Sequence, residues 1–367
     1  MKQRRVLIPV FMFISLSCWA SPTSGQKISV RVDPRVELVS TLFQMAGRDE
    51  YNMTRVSAWQ ESVQKHFQPF ADHPAVTMTR RLAAQYGVGF FVPMNLAVHL
   101  SDPPELAERT PFETVSSLHQ TWTAFPDSTR IYLDLLRRVA EDTGYEEFLA
   151  RNSAILDTTE ARIRSLVEQD VDLNWFSSFW GVEQGQEFFL VPGLVNGRAS
   201  YGVEYQPPTG PTELYAIVGV TAVDGVGLPT FDLDFAFLVA HEFNHSYANA
   251  MIDAHLEEFS EFADSLYAPV EEMMRRQAYG SWESMLYESL VRAVVARYRL
   301  RHGGEAQAAA EIEEQTELGL IWTAELYDLL GEYESNRDTY SSMTQFMHRV
   351  VSFFREFTPL VRQRLGQ

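Results

Sequence analysis

Apolar residues recur at helical spacing along most of the chain, and one short region breaks that rhythm. Val36, Leu38, Val39, Leu42, Phe43 and Ala46 follow an Asp33-Pro34 start, with Gly47 as a stop. That pattern predicts a helix packed on one face. The same period predicts helices over Val56–Phe67, Ala75–Tyr86, Ser128–Asp142 and Glu146–Glu168. Near Trp175 the texture changes. Between Glu187 and Val223, short runs of Val, Phe, Tyr and Leu are cut by Gly193, Asn196-Gly197, Gly202 and Pro207-Pro208. These predict three or so strands, with Asn196-Gly197 as a hairpin turn. After Pro229 the helical spacing returns. It predicts helices over Leu233–Ala250, Ala254–Tyr267, Val270–Ala278, Trp282–Arg301, Glu305–Leu330 and Thr339–Phe357.

The order of elements implies an α+β fold, predominantly helical, with a small mixed or antiparallel sheet ahead of a helical C-terminal half. No internal repeat or long linker divides it. One domain is expected over residues 21–367: a helical part at about 27–175, the sheet at about 186–223, and C-terminal helices from about 233. The 46% apolar content and 24 Phe, 15 Tyr and 7 Trp are ample for its core.

Residues 1–20 read as a signal peptide. Lys2, Arg4 and Arg5 make a basic start, Val6 to Leu16 is a short apolar run, and small residues follow. Export to the periplasm or the extracellular space is the expectation, with cleavage after Ala20. Cys18 offers an alternative as a lipid anchor, although Ser15 stands where a lipobox has an aliphatic residue. No later segment is expected to span a membrane. Cys18 is the only cysteine, so thiol catalysis, thiolate metal ligation and an internal disulfide are excluded from the mature chain. The net charge of −19 argues against nucleic acid as a partner.

Within "FDLDFAFLVAHEFNHSYANAM", His241 and His245 lie four residues apart. On a helix that spacing puts both imidazoles on one face, where both reach a single Zn2+. Glu242 points beside the metal, placed to take a proton from attacking water and pass it to a leaving group. Chance alone would produce H-E-x-x-H in roughly 2 of 100 chains of this composition and length. The neighbours Phe235, Phe237, Leu238, Val239 and Ala240 make the helix apolar, and buried histidines there would be costly without a partner such as a metal.

A catalytic zinc needs a third protein ligand and an open position. Met251 stands where an extended motif would have a third histidine, and His255 comes too late. A carboxylate is expected instead, from among Glu261, Asp264, Glu271, Glu272, Glu283 and Glu288. Glu288 is favoured because it sits in the apolar helix "SMLYESLVRAVVARY", with Arg292 one turn on to orient or neutralise it. The acidic runs Glu257-Glu258 and Glu311–Glu314 read as solvated helix faces.

The stretches Asp33–Asn52, His73–Leu100, "HEFNHSYAN" and "YESLVRA" resemble, in matching order, the bacterial family labelled domain of unknown function 4932. The resemblance implies a zincin-like, and more narrowly gluzincin-like, metallopeptidase. It implies His241, His245 and Glu288 as zinc ligands and Glu242 as the catalytic residue. The implied substrate is a peptide or protein.

The stretch "NGRASYGVEY" is a candidate edge strand for holding an extended substrate. Tyr201 within it is a candidate donor to the oxyanion, in competition with Tyr279 and Tyr287. Asn249, one turn past His245, is a candidate partner for that imidazole, with a plain helix-end polar role as the competing expectation. Two further functions fit the motif: hydrolysis of non-peptide amides or esters, and a non-catalytic zinc-containing surface protein. Glu242, which is not needed to hold metal, argues against the second.

Overall fold

The computed structural model describes residues 28–181, 186–197 and 199–366. The expected signal peptide and Cys18 lie outside the described residues. The chain is predominantly helical around one small sheet, as its apolar spacing predicts.

Four strands form the central sheet: β1 (Ile28–Val30), β2 (Glu187–Gly193), β3 (Tyr201–Tyr205) and β4 (Glu213–Gly219). Their order is β1-β2-β4-β3. β1 and β2 run parallel, as do β2 and β4, while β3 pairs antiparallel with β4. The sheet is therefore mixed. β4 takes an inner position because ELYAIVG is buried on both faces, whereas the alternating β3 takes an edge.

This arrangement corrects the hairpin expected at Asn196-Gly197. The turn itself forms, with Gly197 at φ +63°, but β4 is inserted between the two strands it connects. Asn196 is fully buried, and its Oδ1 accepts from Ser40 Oγ at 2.7 Å. Glu37 fixes the same crossing. Its carboxylate oxygens accept from the Leu194 amide at 2.8 Å and from Trp59 Nε1 at 2.9 Å, and burial pushes its carboxyl up to about 8.

The helices that frame the sheet are α1 (Pro34–Met45), α2 (Phe91–Val98), α3 (Leu173–Trp180), α4 (Leu233–Asp253), α5 (Trp282–Gly303), α6 (Glu305–Glu317) and α7 (Thr323–Ser335). Successive strand residues face opposite ways and feed two cores. On one face, Phe188, Leu190, Leu214, Ala216 and Val218 join Val239 and Phe243 of α4. On the other, Val203, Tyr215 and Ile217 join Leu38 and Leu42 of α1 and Leu96 of α2.

Three helix expectations are corrected. The continuous helix over Glu305–Leu330 breaks at Gly319, which adopts φ +107° between α6 and α7. A Cβ at that position would lie 2.9 Å from Met273 Cβ, so the close approach also selects glycine. The stretches Glu146–Glu168 and Ala254–Tyr267 are each interrupted, at Asn152 and around Glu261-Phe262. α2 had no periodic signal because Val92 to Val98 are all buried, leaving no polar face to set the rhythm.

Candidate metal centre

α4 begins at Asp232, whose side chain accepts from the Phe235 amide at 3.1 Å. It then runs for 21 residues without Gly or Pro. Its rotation is fixed from α3: Trp180 Nε1 donates to Asn244 Oδ1 at 2.8 Å, and the same indole stacks on Tyr247. His241 and His245 then sit one turn apart with their Nε2 atoms 3.1 Å from each other.

α5 starts with a capping box between Ser281 and Ser284 and delivers Glu288 to the two imidazoles. Glu288 Oε1 lies 3.1 Å from His245 Nε2, and Oε2 lies 3.8 Å from His241 Nε2. A tetrahedral site with bonds of about 2.0–2.1 Å has donor separations of about 3.3 Å. The three donors therefore fit one small cation, and two imidazoles with one carboxylate suit a borderline divalent ion. Among the described residues, these three form the group able to hold a metal ion.

The other acidic candidates lie elsewhere. Glu261 pairs with Arg355 at 2.9 Å and Glu271 with Arg275 at 2.8 Å, while Glu272 pairs with Arg276. Asp264 is exposed, and Glu283 stands in the first turn of α5.

Glu242 is buried beside the three donors. Burial pushes its carboxyl up to about 7, with Glu288 adding to the rise and His245, Arg292 and the Gly202 backbone opposing it. A carboxyl titrating there is matched to proton transfer near neutral pH. β3 presses directly on this turn of α4: a Cβ on Gly202 would lie 2.4 Å from the Glu242 carbonyl oxygen and 3.1 Å from His245 Cβ. Any side chain at 202 would lever the strand off the helix.

The surrounding groups orient the ligands. Asn249 Oδ1 lies 3.2 Å from His245 Nδ1, so the helix-end reading of Asn249 gives way to a ligand-orienting contact. With that acceptor, Nδ1 keeps a proton and Nε2 is the nitrogen turned to the other two donors. His241 Nδ1 is buried and meets no partner. Arg292 Nε donates to Glu288 Oε2 at 3.3 Å, the contact expected from their spacing. Behind it, Arg292 Nη1 lies 3.7 Å from Glu311, which pairs with Arg299 at 2.9 Å. Glu311 is thus buried, not part of a solvated face; only Glu313 and Glu314 of that run are exposed. No sequence signal linked it to Arg292, which lies on a different helix.

Glu242, His245, Asn249 and Glu288 line a cleft of about 260 Å³. One wall is β3 with Tyr201 and Gly202, the other α5 with Tyr287 and Glu288, and Phe91 and Tyr279 complete it. Tyr201 is nine-tenths buried, and its hydroxyl meets no hydrogen-bond partner. The neighbouring Tyr51 hydroxyl is committed to the Phe90 carbonyl at 2.7 Å. Burial, with Glu50 and Glu242 adding to it and the nearby Tyr51 hydroxyl opposing it, holds the Tyr201 phenol above its ordinary range, so it stays a donor. Tyr287 Oη donates to Asp253 instead.

Residues 28–353 match the model of a family described as a domain of unknown function (DUF4932). The chain belongs to this family. No curated protein and no solved structure matches it. The DUF4932 match covers all four strands of the sheet, the core that holds α1 and α2, and the three donor residues.

The charge state of the centre sets a pH dependence for metal binding. Burial disfavours a charged His245, but the charge and hydrogen bond of Glu288 outweigh it and raise the imidazole to about 9. Burial, with Arg292 adding to it, holds His241 well below its ordinary value. Glu288 is ionised, held below the usual carboxylate range by His245 and His241 against the cost of burial. A cation must therefore displace one proton, from His245. Apparent affinity should rise about tenfold per pH unit from pH 6 to 8 and level off above about 9. Competition against a chromophoric chelator would measure this, and a slope of zero or two contradicts it.

Proposed function

We propose that this chain is an exported zinc-dependent hydrolase, acting on peptides with Glu242 as its proton carrier. One observation carries the reading. A structural zinc is closed by four protein ligands, whereas a catalytic one has three and an open position. Here three donors converge from α4 and α5, two of them, His245 and Glu288, lining a cleft, with a buried carboxylate beside them that is not needed to hold metal.

When bound, Zn2+ supplies a Lewis acid that acidifies water and polarises a carbonyl. Glu242 takes the proton as water attacks and delivers it to the departing nitrogen. Tyr201 donates its O–H to the carbonyl oxygen as negative charge builds there. β3, last in the sheet and in contact with α4, aligns an extended substrate along its edge. Asn249 and Arg292 keep His245 and Glu288 in their ligating orientations. The basic and apolar start of the sequence supports export. Among the described residues, no helix is long and apolar enough to cross a membrane.

The purified protein should carry about one zinc per chain. It should cleave peptides in an internally quenched pool, lose that activity to a chelator and regain it with zinc. Cleavage of small esters without any cleavage of peptides would overturn the peptidase reading.

A further inference from the structure

The segment around Phe90 is held in a manner that folding alone does not call for. Phe90 adopts φ +53° and ψ −126°, a backbone conformation that residues with a Cβ rarely enter. Buried groups clamp it on both sides. Tyr51 Oη donates to the Phe90 carbonyl at 2.7 Å, and Glu50 Oε1 accepts from the Phe90 amide at 3.4 Å. Arg48 in turn holds Glu50 at 3.1 Å. Gly89 lets that carboxylate close, since a Cβ there would lie 2.7 Å from Glu50 Oε1.

What this clamp displays is apolar and outside the core. Phe90 is 53% exposed and Phe91 42% exposed, while the rest of α2 is buried. Adjacent exposed aromatics add little to a core and mark contact surfaces. Phe91 lines the metal cleft together with Tyr201, Glu242 and His245. Its ring meets His119 edge-on at 5.3 Å, which fixes it from behind. Of the three described non-glycine residues at positive φ, Phe90, Leu106 and Ala278, two adjoin the cleft, since Ala278 at +68° immediately precedes Tyr279. Strain held by buried partners collects where a surface must be presented in one way.

We infer that Phe91, presented by the clamped backbone of Phe90, forms the subsite for a bulky apolar side chain, aromatic by preference, beside the scissile bond. The inference rests on the peptidase reading. Of the four large side chains on the cleft wall, Phe91, Tyr201, Tyr279 and Tyr287, only Phe91 lacks a polar atom. An aromatic occupant gains ring-to-ring contact beyond its buried area. The cleft of about 260 Å³ falls below the roughly 300–1,000 Å³ of pockets for drug-sized ligands. It therefore suits a short stretch of extended chain.

The test uses zinc-loaded protein carrying Glu242→Gln, so that peptides bind without turnover. Two blocked peptide pools, randomised except for a central Phe or a central Ala, are titrated by calorimetry. The Phe pool should bind at least about tenfold more tightly, the scale of a filled apolar pocket. Phe91→Ala in the same background should erase the ratio, while Phe91→Leu should keep most of it. Zinc content and circular dichroism show whether each variant folds. Equal binding of the two pools, binding of neither, or a ratio unchanged by Phe91→Ala overturns the subsite. Cleavage by the native protein without a Phe91-dependent preference leaves the hydrolase standing and removes the subsite. Phe91-dependent binding without cleavage does the reverse.

Discussion

Glu242→Gln is expected to leave zinc content unchanged and to lower peptide turnover by about a hundred- to ten-thousandfold, the range of a lost general base. Gln has nearly the shape of Glu, and Glu242 is not among the converging donors. The change removes only the ability to take and return a proton. Burial raises the native carboxyl from its ordinary value, which favours its taking and returning a proton. In the variant, the limb of the pH–rate profile that reports this group should vanish. KM should move little, because the amide occupies the same space. Metal analysis alongside single-turnover kinetics checks both halves. A zinc-loaded and fully active variant would remove Glu242 from the chemistry.

Glu288→Ala is expected to do the opposite, stripping the metal and the activity together. It deletes one of three donors, the one that comes from a different helix. Loss of a mere orienting partner costs about 10–100-fold in metal affinity, so loss of a ligand should exceed that. The variant should also lose stability, since Glu288 is the counter-charge for His245 and part of that for Arg292. The loss should stay below the about 3–5 kcal/mol of a broken buried pair, because Arg292 keeps Glu311 nearby. Native protein should melt at higher temperature with added zinc; the variant should not respond. A variant that keeps its zinc and its zinc-dependent melting shift would mean that a different residue is the third ligand.

The centre was legible in the sequence because its rules are local. Four-residue spacing on one helix places His241 and His245, and the same spacing joins Glu288 to Arg292. Glu288 could be favoured over five rivals because it alone among them lies within an apolar helix face, and burial is what a carboxylate ligand needs. What stayed hidden was non-local. The insertion of β4 between β2 and β3 depends on which strand is buried on both faces, a comparison between segments that no turn signal contains. Glu311 reaches Arg292 from another helix, so its own surroundings give no hint of a partner. Phe91 lay in a run too uniformly apolar to show which residue faces out.

The alternation of side chains along the sheet also divides the candidate site between the two cores. All three metal donors and Glu242 belong to helices packed with the core on one face. The Phe91 helix hangs from the core on the other face, and Tyr201 belongs to that core as well. On the proposed reading, chemistry and choice of substrate come from different stretches of sequence that meet at one strand. On that reading, change around Phe91 would retune what is recognised while the His241, His245 and Glu288 group stays as it is. The constraint on such change is Gly202, where β3 and α4 touch with no room for a side chain.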